Sequence, residues 1–237
     1  MSTSVVTLSR QVGLMREMTT VANNIANAST TGYRREGMTF TEFVQTTPGG
    51  DSLSMAAGRA RTIDLSQGGL SHTGGAFDLA IEGDGFFLVQ TPQGERLTRA
   101  GAFTPNAAGD LVTPDGHRLL DAGGAPVFVP PDAETVAIAD DGTLSADGAP
   151  VARIGLWRPA DPAGLVREAG TLFAAEQGTE PVPEGGRILQ GRLEGSNVDP
   201  VAEMARMIEV QRAYELGQAF LERESDRRSK LIDTLTR

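Results

Sequence analysis

Gly83-Asp84-Gly85-Phe86-Phe87-Leu88-Val89 carries the pattern from which the middle of the chain is built. Two glycines around an aspartate mark a tight turn, and the short apolar run behind them suits a strand. The same grammar recurs roughly every ten residues through the middle of the chain. Turn signals stand at Pro92-Gln93-Gly94, Asn106 to Gly109, Asp115-Gly116, Asp141-Gly142 and Asp147-Gly148, and Ala125-Pro126-Val127-Phe128-Val129 is a second apolar run. An all-β central domain with tight hairpins is therefore expected over residues 67–190. A phosphate-loop reading of Gly83-Asp84-Gly85 fails, because such a loop must open a helix whose first amides face the anion.

Outward from that centre the period changes to 3.6. Val5, Leu8, Val12, Met15, Thr19 and Ala22 follow alternating three- and four-residue spacing, with Leu14, Met18, Val21, Ile25 and Ala28 as an adjacent stripe. These stripes predict an N-terminal helix over 1–32, ended by Ser29-Thr30-Thr31-Gly32. Asp199 as cap and Pro200 as first helical residue open a second helix within 191–237, which meets no further proline. Its stripes are Val201, Met204, Ile208 and Gln211, and Met207, Tyr214, Gln218 and Leu221. Gly217, about 1 kcal/mol worse than Ala, is its weak point. Thr, Gly and Ser dominate residues 44–65, so 33–66 reads as an extended connector. The expected class is α+β: long, coiled-coil-like N- and C-terminal helices flanking an all-β domain.

Composition narrows the function. The net charge is −10 and is unevenly placed: +1 over residues 1–60, −11 over 61–186 and zero over 187–237. An acidic chain is a poor nucleic-acid binder, whereas near-neutral ends can pack against copies of themselves. There is no Cys, so thiol chemistry and disulfides are excluded. No apolar run reaches the roughly 20 residues of a membrane span, and the start carries no secretory-signal pattern, so the protein is expected either to stay in the cytoplasm or to leave by a route that uses no cleaved signal. His72 and His117 lie far apart without a metal-ligand or base–orienter frame. No catalytic, metal or cofactor residue is assigned. A β-domain hydrolase with helical oligomerisation arms, drawing on the central carboxylates, is the alternative from another class.

Val21-Ala22-Asn23-Asn24-Ile25-Ala26-Asn27-Ala28-Ser29-Thr30-Thr31-Gly32-Tyr33 resembles the N-terminal signature of the flagellar rod and hook proteins, close to ANNxANxxTxGY/F. Residues 74–87, GGAFDLAIEGDGFF, the following LTRAGAF at 97–103 and the C-terminal LEGSNVDPVAEMARMIEVQRAYE are similar to the same family. The length, the short connector before Gly68 and Ile138-Ala139-Asp140-Asp141-Gly142-Thr143-Leu144 look most like its proximal rod branch, with the distal branch as the alternative. The resemblance implies a structural subunit of the basal-body rod, the drive shaft, lying in the periplasmic space. Its terminal helices would line an inner tube, its β-domain would face outward, and it would leave the cell by the flagellar type III apparatus. Partners would be its own copies and neighbouring rod proteins. The residues expected to contact other subunits are Val5, Leu8, Val12, Met15, Val21, Asn23, Asn24, Ile25, Asn27, Val201, Met204, Ile208, Gln211 and Tyr214, the asparagines acting as a polar lock between subunits.

Overall fold

The computed structural model describes residues 2–45, 53–168, 170–182 and 186–235, with side chains described outside 2–5, 40–45, 53–60, 228, 231 and 235. The chain forms two compact units and passes between them four times. One comprises Met1–Ala26, Glu36–Asp64 and Val198–Arg237, the other Asn27–Arg35 and Leu65–Asn197.

In the first unit, α1 spans Ser2–Ala26 and α2 spans Pro200–Leu235. Strands β1 (Glu36–Gln45) and β2 (Leu53–Ile63) pair antiparallel, with a bulge between Thr39 and Phe40. They occupy the stretch that sequence alone suggests is a connector. At the start of α2 the Asp199 carboxylate accepts the Val201 and Ala202 amides at 2.9 and 3.2 Å, while Pro200 sacrifices no bond at the first helical position.

The expectation of two long, coiled-coil-like terminal helices is corrected. Only α2, with 36 residues, is long; α1 is shorter, with 25, and stops at Ala26. The reason is tertiary. Asn27–Arg35 belongs to the second unit, where Tyr33 and Arg34 are fully buried and the Gly32 amide donates to the Glu194 carbonyl at 2.7 Å. Gly32 has φ +69°, and a Cβ there would lie 2.2 Å from the Ala100 backbone nitrogen, so the chain needs this glycine to leave the helical path.

The second unit is built of antiparallel strands: β3 (Leu70–His72), β4 (Leu79–Gly83), β5 (Phe87–Thr91), β6 (Gly94–Thr98), β7 (Thr104–Pro105), β8 (Leu111–Val112), β9 (Arg118–Leu119), β10 (Val136–Ile138), β11 (Thr143–Ala146), β12 (Ala149–Arg153), β13 (Trp157–Pro159), β14 (Leu165–Arg167), β15 (Leu172–Ala175), β16 (Thr179–Pro181), β17 (Gly186–Gln190) and β18 (Arg192–Glu194). Seven of them make one sheet in the order β14-β15-β6-β5-β9-β8-β7. A smaller sheet runs β10-β11-β12, and β13 pairs with β16, β17 with β4 and β18 with β3. Phe87, Leu88 and Val89 of β5 are all buried, which explains why the run is continuously apolar: both faces of this strand are covered. Phe87 meets Phe103 edge to face at 5.4 Å within a core that includes Leu79, Ile81, Leu119, Leu144 and Ile188.

Candidate subunit interface

The two helices of the first unit meet through polar side chains. Gln11 Nε2 donates to the Tyr214 carbonyl at 2.9 Å, Arg206 Nε donates to Glu17 at 2.8 Å, and Asn24 Nδ2 donates to Glu203 at 3.1 Å. Because the α2 partners fall in number as those on α1 rise, the helices run antiparallel. Hydrogen bonding to Glu17 raises the Arg206 guanidinium above its ordinary pKa. Gln11, Glu17, Thr20, Asn24 and Glu203 are buried, with Val21 and Val210 as their apolar companions. Gly217, read from sequence as a weak point, stands where α1 comes close: a Cβ there would lie 2.1 Å from Gln11 Nε2. Beside it Val6, Leu14, Leu216 and Phe220 line a groove of about 400 Å³.

Apolar side chains lie on the opposite faces. Leu8, Val12 and Met15 are 58%, 47% and 53% exposed on α1, and Val201, Met204 and Ile208 are 70%, 50% and 51% exposed on α2. Gln211 is exposed at the edge of the α2 stripe. At 3.6 residues per turn, Leu8, Val12 and Met15 face away from Glu17, Val21 and Asn24, as Val201, Met204 and Ile208 face away from Glu203 and Val210. Each helix thus turns an apolar stripe outward and makes its cross-helix hydrogen bonds on the other side.

The remaining candidate residues are placed differently. Val21 is buried, Asn23 exposed, and Ile25 and Tyr214 half-buried, while the side chain of Val5 lies outside the described residues. Asn24 is fully buried and spends its amide inside its own unit: Nδ2 also donates to the Glu36 carbonyl at 2.8 Å, and Oδ1 accepts the Glu36 amide at 2.9 Å. Asn27 falls in the second unit, where its side-chain oxygen accepts from Thr30 Oγ1 at 3.1 Å. Gln11, Glu17, Glu203 and Arg206 went unmarked in the sequence because apolar periodicity picks out only the outward face. The signal for part of the inward face was there in Glu17, Thr20 and Asn24, polar residues spaced three and four apart on one side of a helix.

Three family models match the chain. The flagella basal body rod protein model covers residues 8–34, the flagellar hook protein FlgE/F/G D1 domain model 80–146, and the flagellar basal body rod FlgEFG protein C-terminal model 189–234. Among relatives, the flagellar basal-body rod protein FlgF of Caulobacter vibrioides is 41% identical over 96% of this chain and 95% of its own. FlgF of Mesorhizobium japonicum is 38% identical over 97% and 96%. The flagellar basal-body rod protein FlgG of Agrobacterium fabrum is 32% identical over 85% and 87%. These relatives are structural proteins, not enzymes, and the FlgF proteins match with higher identity and fuller coverage than the FlgG protein. The chain accordingly belongs to the FlgE/F/G family of flagellar basal-body rod and hook proteins, as a FlgF-like structural rod subunit.

Proposed function

We propose that this subunit polymerises into the rod through the outward stripes of α1 and α2, against copies of itself and neighbouring rod proteins. The observation that carries this reading is the helix pair held together by cross-helix hydrogen bonds while large apolar side chains stand exposed on the two faces turned away from each other. Six large apolar side chains left in water are a standing cost of about 25 cal/mol per Å², recovered only when another surface covers them. The two stripes are different in sequence and point apart, so each needs a different partner surface. A contact of that kind is heterologous and propagates instead of closing into a dimer. Leu8, Val12, Met15, Asn23, Val201, Met204, Ile208 and Gln211 form the contacting set, with Val21 and Asn24 holding the helices behind it. The same reading puts the subunit in the periplasmic part of the basal body, delivered by the flagellar type III apparatus.

Ile208→Asp tests it. A carboxylate on this stripe costs nothing while exposed and about 2 to 4 kcal/mol once a neighbour desolvates it. The purified variant is expected to melt like the parent. In cells lacking the native gene it should complete at least about tenfold fewer rods, counted in micrographs of isolated basal bodies. Native rod numbers with the variant incorporated would refute this assignment of the α2 stripe.

A further inference from the structure

Buried charge in the second unit gathers at one point. Fully buried Glu194 takes Arg34 Nη2 at 2.7 Å and Arg99 Nη1 at 3.2 Å, and its Oε1 also accepts the Gly68 amide at 2.8 Å. Two guanidinium groups against one carboxylate leave surplus positive charge, with Asp84 as a further carboxylate acting on Arg99. Burial lowers the Arg99 pKa against the pull of Glu194. Arg34 Nε and Nη1 and Arg99 Nε find no hydrogen-bond partner among the described residues. A cluster of this kind is weak support for stability, because apolar side chains of the same volume hold a core as well or better. What it contributes is position.

Around the carboxylate, separate segments are stitched together. The Gly32 amide donates to the Glu194 carbonyl at 2.7 Å, and the Gly195 amide donates to Gly69 at 2.8 Å. The Asn197 side chain accepts the Arg35 amide at 2.6 Å and donates to the Ser66 carbonyl at 2.9 Å. Residues 27–35, those just after 64 and those just before 198 carry all four passages of the chain out of this unit.

We propose that Glu194, near the end of that unit's sequence, is a latch: it closes the β unit by pairing with Arg99 and in the same site docks the segment 27–35 through Arg34. Arg99 belongs to the β body, donating to the Gly83 carbonyl at 2.8 Å and lying over the Phe86 ring at 5.2 Å. Arg34 brings in the segment 27–35. Without Glu194, Arg34 would sit without a carboxylate and Arg99 with Asp84 alone, in a site closed to water, so the unit stays open. Closure therefore waits for a residue 160 positions beyond Arg34.

Hydrogen exchange read by mass spectrometry on the full chain tests the latch. Glu194→Gln leaves two buried cations, and exchange across β4, β5 and β6 is expected to rise about a hundredfold or more. Arg34→Met leaves a one-to-one Arg99–Glu194 pair. In that variant β4 to β6 should stay within about threefold of the parent, while residues 30–35 exchange freely and trypsin cuts after Arg35. A rise confined to residues 30–35 and 192–197 in Glu194→Gln would overturn the proposal, as would sheet-wide opening in Arg34→Met. Should the Gln variant not accumulate, Glu194→Asp replaces it. Its shorter arm is expected to give a sheet-wide rise of about tenfold, and a rise limited to 192–197 would count against the latch.

Discussion

Gly101→Ala is expected to abolish the cooperative thermal transition of the β unit. A Cβ at this buried position would lie 1.7 Å from the Leu79 carbonyl oxygen and 2.7 Å from its carbon, both backbone atoms. Neither can move alone, because the Leu79 amide donates to the Gly101 carbonyl at 2.9 Å and Leu79 pairs with Gln190 between β4 and β17. Relief requires pulling apart the strand that carries core residues Leu79 and Ile81. The cost is about 5 kcal/mol or more, comparable to the whole stability of many domains. Gly116→Ala is the matched control: φ is +83° but nothing lies within 4 Å, so only backbone strain of about 1 kcal/mol is added. Thermal unfolding followed by circular dichroism separates them, and a Gly101→Ala protein melting within about 5 °C of the parent would show that the backbone yields where this packing says it cannot.

Asn24→Ala is expected to destabilise the first unit by about 3 kcal/mol, and Asn23→Ala by far less. Adjacent in sequence, the two point to opposite environments. Asn24 is fully buried and supplies three hydrogen bonds, two to the Glu36 backbone and one to the Glu203 carboxylate. Each is worth roughly 1 kcal/mol, and more where a buried polar group loses its partner. Its amide pairs with Glu36 as a neighbouring strand would, fixing where β1 begins, and holds α2 by the same group. Asn23 is exposed, so water replaces whatever its side chain bonds, and the change also exchanges a poor helix former for the best one. Urea unfolding monitored at a helical wavelength gives both values. Equal midpoints for the two variants would remove Asn24 from its role as the joint of α1, β1 and α2.

The asparagine pair shows how far sequence could reach. Three asparagines crowded at the end of a helix announce that something polar is required there, and the notion of a lock follows. That one of them would find its partners inside the subunit could not be read, because Glu203 lies 179 residues away and has no local signal connecting it to Asn24. Arg34 is a sharper case. A charged residue following a helix reads as a solvated face, and burial becomes tolerable only once Glu194 is brought against it.

Elements whose causes are local are written in the sequence. Turn glycines, short apolar runs and the Asp199-Pro200 cap act within a few residues, so the β-rich centre and the long C-terminal helix were legible, as were the apolar stripes along both helices. Tertiary structure alone decided which polar residues go inside, where α1 stops and to which unit residues 27–35 belong. The reason is energetic: burying Asn24, Arg34 or Gln11 is unfavourable for any isolated segment, and it turns favourable only when the partner supplied from the other end of the chain replaces the water each of them gives up.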